Sequence, residues 1–380
     1  MVRVPAAKKE HMFSKAPAIF LFFTAIVSFL TWVLGLTTLA ALFLAERIVV
    51  VRDAQKRHGI SDSSPSRLGG VAIFVSMLVY VILAQWMDDE ISGYIKGVQS
   101  DSIASYAFLA LIISLVGLAD DLNEGLSPGF RMLLLSGIVL FAPSLNQDWL
   151  PLKLFRQDLA LTYLPMVVIV PVTAFVLIGF KNAGNMIDGA NGLLGGVSLM
   201  WFVVLFDLQG SYYFFLLSLA LLAFTLHNLF FSTVILGDFG SFGLSSLIVL
   251  SSFQIFQEAS VSIWFFSAML SYPCFEIVRV IIIRTKQGES PFMADNQHLH
   301  NFLFRRLSSQ GLSNQAANSL TGLGLALASS LTAFTLYFAG MSLENDVFWF
   351  SISIFQFALF LAVWFFADDL RQEESNNLYN

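Results

Sequence analysis

The sequence predicts an all-α, polytopic integral membrane protein with about 11 transmembrane helices and its polar chemistry in loops on one membrane face. Three observations predict this. Hydrophobic residues make up 57% of the 380 and charged residues only 12%, against about 25% charged in a soluble domain. The apolar residues fall in long runs, and a spanning helix needs about 20 of them. The unusual polar stretches fall between alternate runs. A water-soluble globule of this length cannot hide that much apolar surface.

Eleven runs qualify: 17–45, 69–87, 103–119, 131–145, 163–180, 190–208, 212–232, 241–256, 261–283, 319–340 and 347–367. The N-terminus, "MVRVPAAKKEHMFSKAP", has the charges of a signal-peptide n-region. The apolar stretch behind it runs roughly 30 residues, beyond the about 7–15 of an h-region, so it reads as a retained membrane helix. The 39 Phe and 7 Trp suit lipid-facing and interfacial positions. The single cysteine, Cys274, lies in an apolar run and excludes an internal disulfide. A net charge of −6 spread over short segments leaves no basic stripe for nucleic acid. No internal repeat or soluble domain interrupts the chain, so 1–380 is read as a single transmembrane domain.

With eleven spans, the odd-numbered loops and the C-terminal tail share one side. They carry 12 Lys or Arg: Arg47, Arg52, Lys56, Arg57, Arg67, Arg131, Lys181, Arg284, Lys286, Arg305, Arg306 and Arg371. The even-numbered loops carry Lys96, Lys153 and Arg156. By the positive-inside rule the odd side is cytoplasmic; the N-terminal Arg3, Lys8, Lys9 and Lys15 argue the other way and are outnumbered. Five polar stretches all fall on the odd side: 52–70, 117–131, 178–196, 235–241 and 290–307. That predicts one site built from several loops at the membrane surface. A transporter more often places its polar groups near the bilayer midplane.

Asp120 and Asp121 are adjacent carboxylates at the end of span three. They read either as a solvated helix stop or as a general base or metal ligand, because like charges repel unless a cation or proton compensates. Arg131 opens the next span and can return towards them. Asp238, in "ILGDFGS", is either a turn residue or a hard oxygen ligand for Mg²⁺, which takes only one or two protein carboxylates. In "IGFKNAGNMIDGANGLLGG" Asn182, Asn185, Asp188 and Asn191 recur every three residues. On one straight helix they would fan across half the circumference. The row therefore reads as a helix end turning into a loop. "GLLGGVSL" lacks the lysine and the strand context of a phosphate loop, and its small residues suit close helix packing. His298 and His300 lie two apart, with Arg305 and Arg306 behind them. Anion binding is a better functional reading for them than zinc, and interfacial histidines are the bland one.

Together these segments resemble the polyprenyl-phosphate N-acetylhexosamine-1-phosphate transferase family, glycosyltransferase family 4, in its bacterial undecaprenyl-phosphate N-acetylglucosamine-1-phosphate branch. The resemblance runs from about 50 to 310. It rests on "NAGNMIDGANGL" against NAxNxxDGxDGL, "DDLNEGLSPGFR" against DD…LSP…R/K, "LGDFGS" against GDxGS, and "DNQHLHN" against the histidine loop. The resemblance implies transfer of a sugar 1-phosphate from a UDP-sugar to undecaprenyl phosphate, with release of UMP, as the start of a cell-surface glycan. It implies Mg²⁺, with Mn²⁺ as a substitute, at a bacterial inner membrane with the site on the cytoplasmic face, and it allows a homodimer. Position by position it makes Asp120, Asp121 and Asp188 catalytic and gives the metal to Asp238 and Asn185. Substrate binding falls to Asn182, Asn191, Asn228, Arg131, His298 and His300, with Asn182 supporting the turn.

The sequence departs from the pattern in places. Asn191 replaces the second Asp of DGxDG, and Asn301 replaces the last His of HxHH. In loop one only "KRH" and "GG" survive. The extended signature of phospho-N-acetylmuramoyl-pentapeptide translocases is absent. The competing classes are a secondary transporter of an anionic solute and a non-catalytic scaffold. Glu276 and Arg279 in span nine are the ionisable groups on which a transporter reading would rest, unless they form a structural pair.

Overall fold

The computed structural model describes residues 35–48, 65–85, 100–122, 126–145, 165–258, 261–288 and 298–378. Among these residues the fold is all-α as expected, with one parallel bridge between Ser66 and Val234 and no strand. The helices are α1 (35–47), α2 (Gly69–Gln85), α3 (Ser100–Leu122), α4 (Pro128–Leu145), α5 (Met166–Ile187), α6 (Leu193–Gln209) and α7 (Tyr212–Phe231). They continue as α8 (Gly237–Glu258), α9 (Ile263–Met269), α10 (Ser271–Gln287), α11 (Leu299–Ser309), α12 (Asn314–Phe338) and α13 (Asp346–Leu378).

Six stretches are long and apolar enough to cross a membrane: in α3, α5, α7, α8, α12 and α13. The bent pair α9–α10 makes a seventh. The expected spans at 69–87, 131–145 and 190–208 are helical, but their apolar stretches are shorter. The first expected span, 17–45, is described only from residue 35. Among the described residues, length and composition thus support six or seven crossings of a multi-pass membrane protein. The sequence count took every apolar run as a crossing, whereas a short apolar helix is equally at home as buried core.

The expected span 261–283 is broken in the structure. Helices α9 and α10 meet at 89°. Pro273 lies just past the break; a proline has no N–H to donate and its ring clashes with the carbonyl four residues back, here that of Met269. The freed groups are taken up by neighbours. Ser330 Oγ donates to the Met269 carbonyl at 2.7 Å, and Gln356 Nε2 donates to that of Ala268 at 3.2 Å. The Tyr272 amide donates to Ser329 Oγ at 3.0 Å. An unsatisfied backbone group in hydrocarbon costs several kcal/mol, so a break there needs such partners.

Helix α8 lies between two apolar clusters. One joins its Leu244 and Ile248 to Trp201, Phe202, Phe265 and Trp349. The other joins its Phe242 and Val249 to Ile113, Leu135 and Leu177. Outward faces stay apolar, with Phe175 on α5 74% exposed and Leu133 on α4 70% exposed, as lipid contact requires. The N-terminal end of α8 is where the polar segments gather. The strip 66–70 is stitched to 233–236 by Ser66 N–H to the Thr233 carbonyl, Ile235 N–H to that of Ser66 and Gly69 N–H to that of Ile235, each 2.9 Å. Helix α3 approaches so closely that a Cβ on Gly117 would sit 2.3 Å from the Asp238 carbonyl oxygen; only glycine fits there. The described parts of all five polar stretches therefore meet at one end of the bundle.

Candidate active site

Asp120 and Asp121 occupy the last turn of α3. Adjacent residues on a helix diverge by about 100°, and the two carboxylates find different partners. Asp120 accepts from Arg131 Nη1 at 2.5 Å and from the Leu126 amide. Arg131, at the start of α4, thus returns to Asp120. Asp121 accepts from the Phe239 amide at 3.1 Å and pairs with Arg67 Nη1 at 3.6 Å. Asp238 stands in the first turn of α8, where the helix dipole favours negative charge. It accepts from Asn185 Nδ2 at 2.5 Å, lies 3.8 Å from Arg131 Nη1 and is within hydrogen-bonding reach of Asp120. Asn185 also donates to Ser241 Oγ at 3.1 Å.

Asp188 caps the C-terminus of α5 and accepts from the backbone amides of Leu236 and Gly237. Burial, then the charges of Asp238 and Asp121, holds its carboxyl well above the usual carboxylate range. Four carboxyl groups therefore share one small region with Arg67, Arg131 and Lys181. Lys181 is buried, with its Nζ 3.8 Å over the Phe242 ring and within electrostatic range of Asp120, Asp238 and Arg131.

The sequence reading missed Arg67 and Lys181 as site residues, because both counted only as loop charges that set orientation. A signal was present for one of them. Lys181, Asn185 and Asp188 are spaced i, i+4, i+7, which is one helix face, while the conspicuous spacing of three starts at Asn182. Asn182 instead faces α4, with Nδ2 4.0 Å from the Met132 sulfur.

Asn191 and Asn228, to which the resemblance gives substrate binding, lie buried among protein partners. Asn191 donates to Ser232 Oγ at 2.6 Å and Ser319 Oγ at 3.3 Å, and its amide donates to Asn318 Oδ1 at 2.9 Å. Asn228 accepts from the Gly192 amide at 2.6 Å and donates to the Val234 carbonyl at 2.8 Å. Both are 5% exposed or less. They hold the turn in which Gly192 adopts φ 77°, a left-handed conformation suited to glycine.

The histidines begin α11, with His298 at its N-cap; residues 289–297 of the expected loop lie outside those described, as do 49–64 of loop one and 123–125 of loop three. His298 Nδ1 lies 3.1 Å from Glu276 Oε1, and its ring stacks on that of His300 with centroids 5.3 Å apart. His300 Nδ1 meets the Tyr272 hydroxyl at 3.1 Å. On its other side, His300 Nε2 lies 3.3 Å from where a Cβ on Gly189 would sit. Burial and the neighbouring His298 push the His300 imidazole down to about 3, so it is neutral near pH 7. Glu276 and Arg279 form the structural pair that the sequence admitted, 2.5 Å apart and buried.

Among the described residues no three of His, Cys, Asp or Glu make a ready-built metal cage. Mg²⁺ rarely uses one; it takes one or two carboxylates and fills its octahedron with phosphate oxygens and water. The donors at the α8 N-terminus are the required hard oxygens, from Asp238, Asp121, Ser241 and the Asn185 amide. Asp121 Oδ1 is buried and lacks a hydrogen-bond donor, with Arg67 Nη1 at 3.6 Å as its ion-pair partner. A buried carboxylate oxygen in that state fits a cation partner, so the residues present are compatible with the ion.

The family model for glycosyl transferase family 4 matches residues 103–256, a segment holding every expected site residue except the two histidines. A Bacillus subtilis protein named as a probable undecaprenyl-phosphate N-acetylglucosaminyl 1-phosphate transferase is 26% identical over 333 residues, covering 84% of this chain and 85% of that one. A phospho-N-acetylmuramoyl-pentapeptide-transferase of Synechococcus sp. is 30% identical over 209 residues, covering 52% of this chain and 57% of that one. A Streptococcus pneumoniae protein of the same name is 25% identical over 252 residues, covering 61% and 73%. Its motifs are drawn together at the head of α8, and over the segment that holds most of them the chain is similar to glycosyl transferase family 4.

Proposed function

We propose that the protein transfers an N-acetylhexosamine 1-phosphate from a UDP-sugar to undecaprenyl phosphate, releasing UMP, as the initiating step of a cell-surface glycan. The observation that carries this reading is the cluster of Asp120, Asp121, Asp188 and Asp238 with Arg131 and Lys181 at one end of a membrane bundle. One substrate is anchored in lipid and the other is soluble, and the end of a membrane bundle is where the two can meet. The names of the relatives support the same class of acceptor.

The reaction joins an oxygen of the lipid phosphate to the β-phosphorus of the nucleotide sugar. The bond from that phosphorus to the bridging oxygen breaks, and UMP leaves with the electron pair. Asp238 and Asp121, with Asn185 and Ser241 beside Asp238, are the residues to hold Mg²⁺ or Mn²⁺. When bound, the ion supplies charge neutralisation of the diphosphate and of the departing UMP. Arg131, fixed by Asp120, presents a guanidinium to the phosphates and lowers the repulsion between two anionic substrates. Asp120 orients the acceptor or takes its proton. The Asp188–Gly189 turn and His300 form the side that meets the sugar nucleotide, and Asn191 and Asn228 keep that turn in shape. The reading sets the site at the cytoplasmic face of a bacterial inner membrane, in a chain that can act as a homodimer.

Glu276 and Arg279 are closed within the protein against each other and His298, which gives a transporter reading nothing to move. The test is to incubate purified protein with undecaprenyl phosphate, a panel of UDP-N-acetylhexosamines and Mg²⁺, and to measure UMP. Metal-dependent UMP release with at least one donor is expected; none with any donor overturns the reading.

A further inference from the structure

A second buried polar group lies beside the carboxylate cluster, and the chemistry above does not use it. Glu276 is fully buried on α10, a turn beyond the break at Leu270. Its Oε1 takes both Arg279 Nη2 at 2.5 Å and His298 Nδ1 at 3.1 Å, and its Oε2 takes Arg279 Nε at 3.1 Å. The Arg279 guanidinium lies 5.7 Å from the Trp364 ring of α13. Tyr272, one helix turn before Glu276, accepts from the His300 amide at 3.2 Å and meets His300 Nδ1 with the same hydroxyl. The contacts of Glu276 and Tyr272 with the two histidines thus run from α10 to the N-cap and first turn of α11. The free edge of that assembly is His300 Nε2, against Gly189.

Burying a carboxylate and a guanidinium in a membrane bundle is costly, and a well-packed apolar pair is often as stable. Charge is worth its place where geometry must be held. Here the geometry held is that of two stacked imidazoles facing the Asp188–Gly189 turn.

We infer that Glu276, with Arg279 and Tyr272, is a positioning group: it clamps His298 so that His300 stands at a fixed distance from Gly189 and completes the wall that receives the sugar nucleotide. Glu276 itself touches no substrate and acts through the histidines. The inference rests on the transferase reading for its last step only; the clamp is a property of the protein by itself.

The experiment has two arms, with the full-length protein in nanodiscs. The first reads placement without catalysis. Diethylpyrocarbonate modifies exposed imidazoles, and peptide mass spectrometry reports His298 and His300 separately. Both are protected in the wild-type protein, and Glu276→Gln makes both reactive by roughly tenfold at a temperature well below the variant's own melting temperature. Glu276→Asp, which keeps the charge, restores part of the protection. If the histidines stay protected in Glu276→Gln, there is no clamp, whatever the enzyme does. The second arm reads the consequence. Glu276→Gln is expected to raise KM for the sugar nucleotide roughly tenfold and to leave KM for the lipid within about twofold. In a His300→Ala background the same change adds nothing, because residues acting through one another are non-additive. An equal loss in both backgrounds overturns the role through His300. Absence of any turnover in the wild-type protein overturns the transferase reading and leaves the first arm standing.

Discussion

The two buried charged regions of this protein are built on opposite principles. Around Glu276 each charge is met: Arg279 makes two hydrogen bonds to the carboxylate and His298 a third. At the head of α8, four carboxyl groups crowd together, and Asp121 Oδ1 is left without a donor. A balanced buried cluster holds shape. An unbalanced one stores repulsion that a cation or a bound phosphate can relieve, and such imbalance is what a site for charged chemistry displays. The difference can be broken or sharpened by mutation, and the effects should fall in a definite order.

The largest effect is expected on turnover at the unbalanced region. Asp238→Asn keeps the shape and the hydrogen bond with Asn185 but removes a charge, and UMP release should fall by roughly a thousandfold with the melting temperature unchanged. Next comes stability at the balanced region. Glu276→Ala leaves Arg279 buried without its partner, which costs about 3–5 kcal/mol; a steep fall in the melting temperature checks this. Asp121→Asn relieves repulsion instead, so it should leave the melting temperature equal or higher in metal-free buffer. If both variants destabilise alike, the contrast between the regions is wrong.

A smaller effect is expected from the turn. Asn191→Ala removes two side-chain donors and an acceptor from a buried net, costing about 1–3 kcal/mol. It should change KM for the nucleotide less than His300→Ala does. The smallest and most diagnostic effect is the sign of the pH dependence. Asp188 has a folded pKa raised above that of an unfolded aspartate, about 3.9. The folded state then holds more protons, and stability falls as pH rises from about 4 through the raised value. His300 is pushed down to about 3, below an unfolded histidine at about 6.5. There the unfolded state holds more protons, and stability falls as pH drops from about 6.5 towards 3. In metal-free buffer, Asp188→Asn should flatten the melting-temperature profile on its high-pH side, and His300→Gln on its low-pH side. A profile that neither variant flattens, or that each flattens on the other side, would contradict the shifts described for the two groups.

Local patterns made part of this legible in the sequence. The long apolar runs announced helices, and the row from Asn182 to Asn191 announced a helix that ends in a polar turn, which is how α5 meets α6. The Asp120–Asp121 pair and Asp238 announced themselves by isolation among apolar neighbours. Long-range pairing was not legible. The Asn191 net depends on Asn228, Ser232, Asn318 and Ser319, as many as 128 positions away, and nothing local says that those amides point inward. The break between α9 and α10 had a local sign in Pro273, but the apolar run continues through it without a change of composition. Lys181 was hidden by a different effect. A single lysine at the end of an apolar run ordinarily snorkels to water, and here it is held inward by Phe242 and the carboxylates instead.

The central claim is that the crowded carboxylates at the head of α8 carry out transfer of a phosphate-linked sugar. It is tested most directly by following the β-phosphorus. Purified protein is given a UDP-N-acetylhexosamine labelled with ³²P at the β position, undecaprenyl phosphate and Mg²⁺, and the label is counted in the lipid and aqueous fractions. The account predicts that label enters the lipid in step with UMP release, and that Asp238→Asn abolishes both. Label that stays in the aqueous fraction as UDP, or a fully active Asp238→Asn protein, would contradict it.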